Sequence, residues 1–319
     1  MESEYGQELL TVSYYIIMAV TISDNYQVKY TNKWGVLLQQ KVSALEKLVT
    51  VDRDCKGEVK FIDQYGVLDF KEKTTRMGST TLDEAPTLRR SMRPRIFTKA
   101  VGFDEFDATK LGDLDLPVSK TLEGLRMAAN RKMDDVMIAA FLGQNFVGKD
   151  GTTAKAFPDD RVVDKDYVES GTKAASGLTL AKLRRTLQMF QEADAWTEDS
   201  SAAGDQLVFA CSSAQILNLL STTEVTSYDY NSVKALVDGK VDTFMGFKFV
   251  RTELLPKSEG VRECLAWVKS RAQFGLWNDF KVKISVRDDL DEALQIRAKF
   301  ACGATRLEEK GFVKVLCAQ

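Results

Sequence analysis

From residue 117 onward, apolar side chains recur at steps of three and four: Val118, Leu122, Leu125, Ala129, Met133, Val136 and Ala140. One continuous apolar stripe of this period predicts an amphipathic helix over 117–142, roughly 38 Å long at 1.5 Å per residue. Pro117 suits a first helical turn, and Gly143 and Gly148 break the pattern. A second stripe of Leu180, Leu183, Leu187 and Phe190 predicts a helix over 180–193. Elsewhere the period shortens. "DQLVFACSS" reads as a buried strand, and Ser212-x-x-Gln215 supplies a capping box ahead of "ILNLL". "TSYDYNSVKALVDGKVDTFMGFKFVRTELLP" reads as a loop, a short helix stopped by Gly239, then strands around Gly246; "ECLAWVKSRAQFGLW" is a strand with a turn. Toward the end the alternation is strict. Val282, Ile284 and Val286 share one face, and so do Leu294, Ile296, Ala298 and Phe300; with "FVKVL" they predict an antiparallel β meander.

The first hundred residues have a different pattern. Residues 1–50 are apolar and aromatic at the front and become a short helix from Trp34 to Leu48, with Val36–Leu37, Leu45 and Leu48 toward one face. Nothing closes this segment into its own core. Residues 51–100 read as extended: "GEVKFIDQYGVLDFKEKTT" runs out through a polar turn region, and "LRRSMRPRIFTKAVGF" runs back. A two-stranded ribbon is marginal alone in water, so this one must dock on something. The chain is α+β with two protruding, coreless segments.

Composition narrows the chemistry. The 319 residues carry a formal net charge of −2 and no histidine. Near-neutral charge speaks against a DNA-coating protein. The missing histidine removes Ser-His-Asp and Cys-His nucleophiles and histidine zinc sites. The five cysteines, Cys55, Cys211, Cys264, Cys302 and Cys317, form no C-x-x-C pair and read as buried free thiols of a reducing cytosol. The longest apolar run, Tyr14–Val20, is too short to span a bilayer, and the acidic start lacks the basic region of a signal peptide.

Three constellations carry potential chemistry. Gly143-x4-Gly148-Lys149 has the spacing of a nucleotide-binding loop. Such a loop opens a helix, whereas this one comes after a helix; the Mg²⁺ ligand position holds Asp150. Lys149 is better read as a cation near a helix C-terminus. Second, Arg89, Arg90, Arg93, Arg95 and Lys99 form a dense basic cluster without interleaved aromatic platforms, with Asp104, Glu105, Asp107, Asp113 and Asp115 close behind in the chain. Adjacent patches of opposite sign fit subunit–subunit docking better than nucleic-acid binding. Arg89, Arg90, Arg93, Arg95, Asp104 and Asp107 are the candidate interface residues. Third, the carboxylate pairs Asp134–Asp135, Asp159–Asp160 and Asp288–Asp289 point apart on regular structure and read as solvated surface, the last in a turn.

The order of parts (arm, extended loop, long helix, mixed lobe, returning strands) resembles the major capsid proteins of tailed bacteriophages with the Hong Kong 97-type fold. "WGVLLQQKVSAL", Arg89–Arg90 ahead of "FTKAVGFDEFDA", "AANRKMDDVMIAAFLG", "TSYDYNSVKALVDGKVDTFMGFKFV" and "GATRLEEKGFVKV" carry the resemblance. It implies an N-terminal arm (1–50), an E-loop lying over a neighbouring subunit (51–100), a P-domain (101–199) with spine helix 117–142, an A-domain at the capsomer centre (200–275), and P-domain strands (276–319). Arg89–Arg95 would then face acidic groups of an adjacent subunit. Some members of that family crosslink a loop lysine to a P-domain asparagine. Lys56, Lys60, Lys71 and Lys73 are the loop lysines here, but residues 281–319 contain no asparagine, so non-covalent shell stability is expected. The short arm leaves no room for a fused scaffolding domain, which implies a separate scaffold or prior cleavage.

The implied function is a shell protein that assembles into hexamers and pentamers of an icosahedral head around double-stranded DNA, in the host cytoplasm. Scaffolding protein, portal and possibly a decoration protein are its expected partners. No catalysis, cofactor, metal or membrane is expected. The competing readings are an encapsulin-type compartment shell, a P-loop nucleotide enzyme and a nucleic-acid binder using Arg89–Lys99.

Overall fold

A computed structural model describes residues 36–74, 76, 82, 84–104, 106–107, 117–196, 204–222, 238 and 242–319. The predicted long helix is α1, Val118–Leu142, with Pro117 at its N-cap. Its C-terminal half is the hub of the interior. Phe141 is fully buried, with ring centroids 5.3 Å from Phe312 and 5.9 Å from Trp267. Burying a side chain of that size contributes about 1.5–3 kcal/mol.

Trp267 and Phe312 lie on a seven-stranded sheet. Its strands are β7 (Val162–Val163), β8 (Leu207–Cys211), β9 (Thr243–Phe244), β10 (Phe247–Arg251), β11 (Lys257–Ser258), β12 (Val261–Val268) and β15 (Phe312–Ala318). The order is β7-β15-β12-β8-β10-β9, with β11 on β12. All five residues of β8 are buried, as a continuous apolar run between two neighbouring strands requires. β9 and β10 are joined by Met245 and Gly246, both at positive φ, the two-residue hairpin turn that matches strand twist. Helices α2 (Leu180–Glu192) and α3 (Ser213–Thr222) bear the expected signals. The α2 stripe is wholly or partly buried, and the Ser212 N–H donates to Gln215 Oε1 at 3.1 Å.

A four-stranded sheet runs β1 (Thr50–Asp52), β13 (Ala272–Arg287), β14 (Ala293–Arg306), β4 (Arg95–Phe103). The β13–β14 hairpin fits the predicted alternation, with Ile284 opposite Ile296. The third strand of the expected meander does not stay there. β15 crosses to the seven-stranded sheet and pairs with β12 and β7. Phe312, Val313, Val315 and Cys317 are all buried, which only that interior position allows. Gly275 and Gly303 face each other across the hairpin; a Cβ on Gly303 would meet the Arg93 carbonyl oxygen at 2.5 Å, so the corner leading into β4 can pass only over glycine.

The third sheet is β2 (Lys60–Tyr65), β3 (Thr87–Met92), β5 (Asn145–Val147) and β6 (Thr153–Lys155), in that order. It is the predicted ribbon, docked through β3 onto the short β5–β6 hairpin. Gly148, at φ +95°, opens that hairpin's turn.

The segment before β1 departs from expectation. Residues 36–45 are not helical; a single 3-10 turn, Glu46–Leu48, precedes β1. Leu45 and Leu48 are buried as expected, but Leu37 is exposed. Trp34 and the short helix before Gly239 lie outside the described residues. The cause is a tether to α1. Asp134 accepts from Gln40 Nε2 at 2.5 Å, Ser43 Oγ at 2.5 Å and the Ala44 N–H at 3.0 Å, while Asn130 Nδ2 donates to the Lys41 carbonyl at 2.8 Å. These bonds hold the chain extended and outweigh its modest helical pattern. Asp134 is therefore fully buried, contrary to the solvated-surface reading of Asp134–Asp135.

Candidate functional site

The β2–β3 ribbon has two unlike faces, because its register sets Ile62 opposite Arg90 and Asp63 opposite Arg89. On the outer face Arg89 forks onto Asp63, Nε to Oδ1 at 2.6 Å and Nη2 to Oδ2 at 3.0 Å, and lies over the Phe61 ring. That bond holds the Asp63 carboxyl below its ordinary range.

Arg90 points the other way. It is 3% exposed and donates from both terminal nitrogens to Glu309, at 2.7 and 2.6 Å. Lys155 Nζ adds a third contact at 3.0 Å. Burial alone would raise the Glu309 carboxyl; Arg90 and Lys155 more than offset it and hold it at about 2. Arg90 thus binds an acid of its own chain through its two terminal nitrogens.

The rest of the basic cluster stays outside. Arg93 is exposed over the Phe146 ring, and Arg95 and Lys99 are exposed on β4. Asp104 and Asp107 cap each other: the Asp104 N–H donates to Asp107 Oδ2 at 3.0 Å and the Asp107 N–H to the Asp104 carbonyl at 3.1 Å. Neither acid reaches an arginine of the cluster within the subunit by any hydrogen bond among the described residues. Asp113 and Asp115 lie outside the described residues. The structure therefore brings Arg89 and Arg90 onto one strand but does not assemble the six candidates into one patch.

Beyond the ribbon a mostly polar stretch carries several uncovered apolar groups. The Gly66 N–H donates to the Pro86 carbonyl at 2.7 Å, closing the base of the excursion. Past this point Val67, Leu68, Phe70 and Leu82 are exposed, Phe70 and Leu82 almost completely. Tyr65, Leu88 and Ile96 are exposed as well. A cluster this apolar on one protrusion marks a protein–protein contact. A shallow apolar groove of about 320 Å³ lies between α1 and the β4–β14 strands, floored by Leu125, Ala129, Phe280, Ala298 and Phe300.

Three fully buried charges escaped sequence reasoning. Asp134 is one; its own i+3, i+4 and i+7 positions are Met137, Ile138 and Phe141, a signal that it lies on a buried face. Lys182, fully buried in α2, donates to the carbonyls of Lys165, Ser176, Gly177 and Leu316 at 2.8–3.0 Å, and burial lowers its pKa. Arg306, also fully buried, donates to Phe141 O at 2.6 Å and Gly143 O at 2.8 Å. It is the cation at the α1 C-terminus, the place expected for Lys149, which lies instead in the β5–β6 turn. Desolvation pulls Arg306 down to about 10. The five cysteines are free and buried, as expected. Lys60, one of the loop lysines, is bound to Asp52.

A long helix, a sheet that receives the closing strand, and a ribbon carrying uncovered apolar groups fit a subunit that associates with others. The family model described as phage capsid protein matches residues 22–319. The chain belongs to that family and is a phage capsid protein. Among solved structures it resembles the capsid of cyanophage Pam1 (10% identity, 93% of this chain and 97% of that one, TM-score 0.70). It also resembles the capsid of Ralstonia phage GP4 (10%, 98% and 98%, TM-score 0.67) and the head of Helicobacter pylori bacteriophage KHP40 (9%, 99% and 99%, TM-score 0.68). No curated protein matches the chain. The α+β architecture is the Hong Kong 97-type capsid fold expected from the resemblance. Neither the encapsulin nor the nucleotide-enzyme reading is favoured. The glycine spacing at 143–148 ends α1 and opens a β hairpin, so it presents no helix N-terminus to a phosphate.

Proposed function

We propose that this chain is the principal building block of an icosahedral phage head, forming hexamers and pentamers around packaged double-stranded DNA and catalysing nothing. The observation that supports this best is the uncovered apolar excursion beyond Gly66 and Pro86, which gains its burial only on a second copy. In this reading residues 1–50 are the N-terminal arm and 51–100 the E-loop. Residues 101–199 and 276–319 form the P-domain around the spine helix, and 200–275 the A-domain. Arg89, Arg90, Arg93, Arg95, Asp104 and Asp107 are the candidate polar contacts to neighbours. Scaffolding protein, portal and decoration protein are the expected partners, assembly takes place in the host cytoplasm, and the shell is held without covalent crosslinks.

Negative-stain microscopy of the full-length chain, expressed alone and with its scaffold, tests this. Rings or closed particles are expected. A chain that stays monomeric under both conditions, at every concentration, overturns the reading. Denaturing gels of such particles should show only monomer; a ladder would refute the non-covalent shell.

A further inference from the structure

A cavity of about 700 Å³ opens between the β2–β3 ribbon and the β5–β6 turn. Gln64, Arg90, Lys149 and Lys155 line it, together with Arg89 and Asp63. Register explains the gathering. Arg90 pairs with Val147 and Lys155 with Asn145, so Arg90 and Lys155 share one face of the sheet, and Gln64 lies diagonally beside Arg90 on that face. Arg89 and Asp63 neutralise each other on the opposite face.

The charges on the inner face do not balance. Arg90, Lys149 and Lys155 are three cations, and Glu309 is the one carboxylate bound to them by ion pairs among the described residues. Glu309 is fully engaged by the terminal nitrogens of Arg90 and by Lys155. The Arg90 Nε–H, in a side chain 3% exposed, is left buried with no acceptor. Behind it, fully buried Arg306 adds a further positive charge, and its Nε and Nη2 are also without acceptors. Buried donors in native proteins are satisfied, and exposed Lys149 and Lys155 beside the buried Arg90 Nε–H leave positive charge at the cavity that an anion would balance. A planar Nε–H with ammonium groups alongside suits one oxygen-rich anionic group.

We propose that this cavity is an oxyanion site, in which Arg90 Nε, Lys149 and Lys155 bind a phosphate or carboxylate group. It is not a nucleotide loop: the Gly148 N–H is already given to the Arg89 carbonyl, and the next element in the chain is the strand β6 rather than a helix. Two sources supply the same chemistry, inorganic phosphate from solution and an Asp or Glu side chain of a second copy. Neither requires Arg90 to leave Glu309.

The test uses the full-length chain, as unassembled subunits and as particles. Inorganic phosphate is titrated by calorimetry and by thermal shift, against sodium chloride at matched ionic strength. The site predicts that phosphate binds and raises the melting temperature of subunits where chloride does not. Lys149→Ala with Lys155→Ala should weaken phosphate binding about tenfold. The two Lys→Arg changes should keep it, and Lys99→Ala with Lys132→Ala, away from the cavity, should leave it unchanged. Lys149 and Lys155 are exposed, so a single cooperative melting transition in chloride, lowered at most slightly by the lost Lys155–Glu309 contact, certifies that the double variant folds. Phosphate acting no better than chloride on subunits overturns the proposal, as does undiminished binding in the folded double alanine variant. Particles that still bind phosphate assign the site to the free ion; subunits that bind while particles do not assign it to a neighbour's carboxylate. The subunit measurement stands whether or not the chain assembles, so its failure and the failure of the shell reading are separately visible.

Discussion

The seven-stranded sheet and the β2–β3 ribbon spend similar residues in opposite ways. In β8 and β12 the apolar side chains are almost wholly buried, and Phe209, Phe247 and Trp267 pack under α1 and α2. In the ribbon and the excursion beyond it, Tyr65, Val67, Leu68, Phe70 and Leu82 are largely exposed within the subunit. The first region is finished when one chain folds. On the proposed reading, the second is finished only by another chain. The hydrophobic effect is the same per unit area in both; what differs is whether burial counts toward folding or toward association.

Substitutions can break that comparison at either end. The largest effect on subunit stability belongs to the interior: Phe141→Ala should cost about 3–5 kcal/mol, read as a lowered melting temperature by calorimetry. Glu309→Gln comes next, at about 3 kcal/mol at neutral pH, because it strands Arg90 in a buried setting. This pair also fixes a pH response. The Glu309 carboxyl sits at about 2 in the folded chain against an ordinary 4.5, so its contribution is complete above about pH 4.5 and is lost as pH falls toward 2. Melting temperatures from pH 7 to pH 2 should show that decline in the parent chain and a shallower one in Glu309→Gln; parallel curves would contradict the assignment. Asp134→Ala removes the tether of residues 40–44 and should cost about 2 kcal/mol, with new protease cleavage near residue 40. Smallest of all is Phe70→Asp, which should shift subunit stability by less than about 0.5 kcal/mol while abolishing particles. A large loss of melting temperature from Phe70→Asp would erase the contrast between the two regions.

Legibility in the sequence obeys the same divide between local and distant. The α1 and α2 stripes, the wholly apolar β8 and the Ser212–Gln215 box depend on neighbours within a few residues, and each lies where its pattern predicts. The ribbon was readable as an extended excursion because Gly66 and the turn-rich polar stretch punctuate it. What the pattern concealed depends on long-range pairing. Arg90 meets Glu309 across 219 positions, and Asp134 meets Ser43 across 91. Alternation in "FVKVL" announces a strand but not which sheet will receive it, so the pattern alone puts β15 beside its hairpin neighbours rather than against β12. For the candidate site, charge density on the return limb was visible, but the outward turn of Arg89 and the inward turn of Arg90 come only from the strand register.

The most direct measurement removes the excursion without touching the fold. Residues 67–85 lie beyond the Gly66–Pro86 hydrogen bond, and cutting there spares the buried Arg90 and its strand. A short Gly-Ser link in their place should give a folded subunit with an essentially unchanged melting temperature that sediments as a monomer or small oligomer and shows no particles by microscopy. Particles of normal size and yield from that variant would contradict the claim that this surface is completed by a second copy.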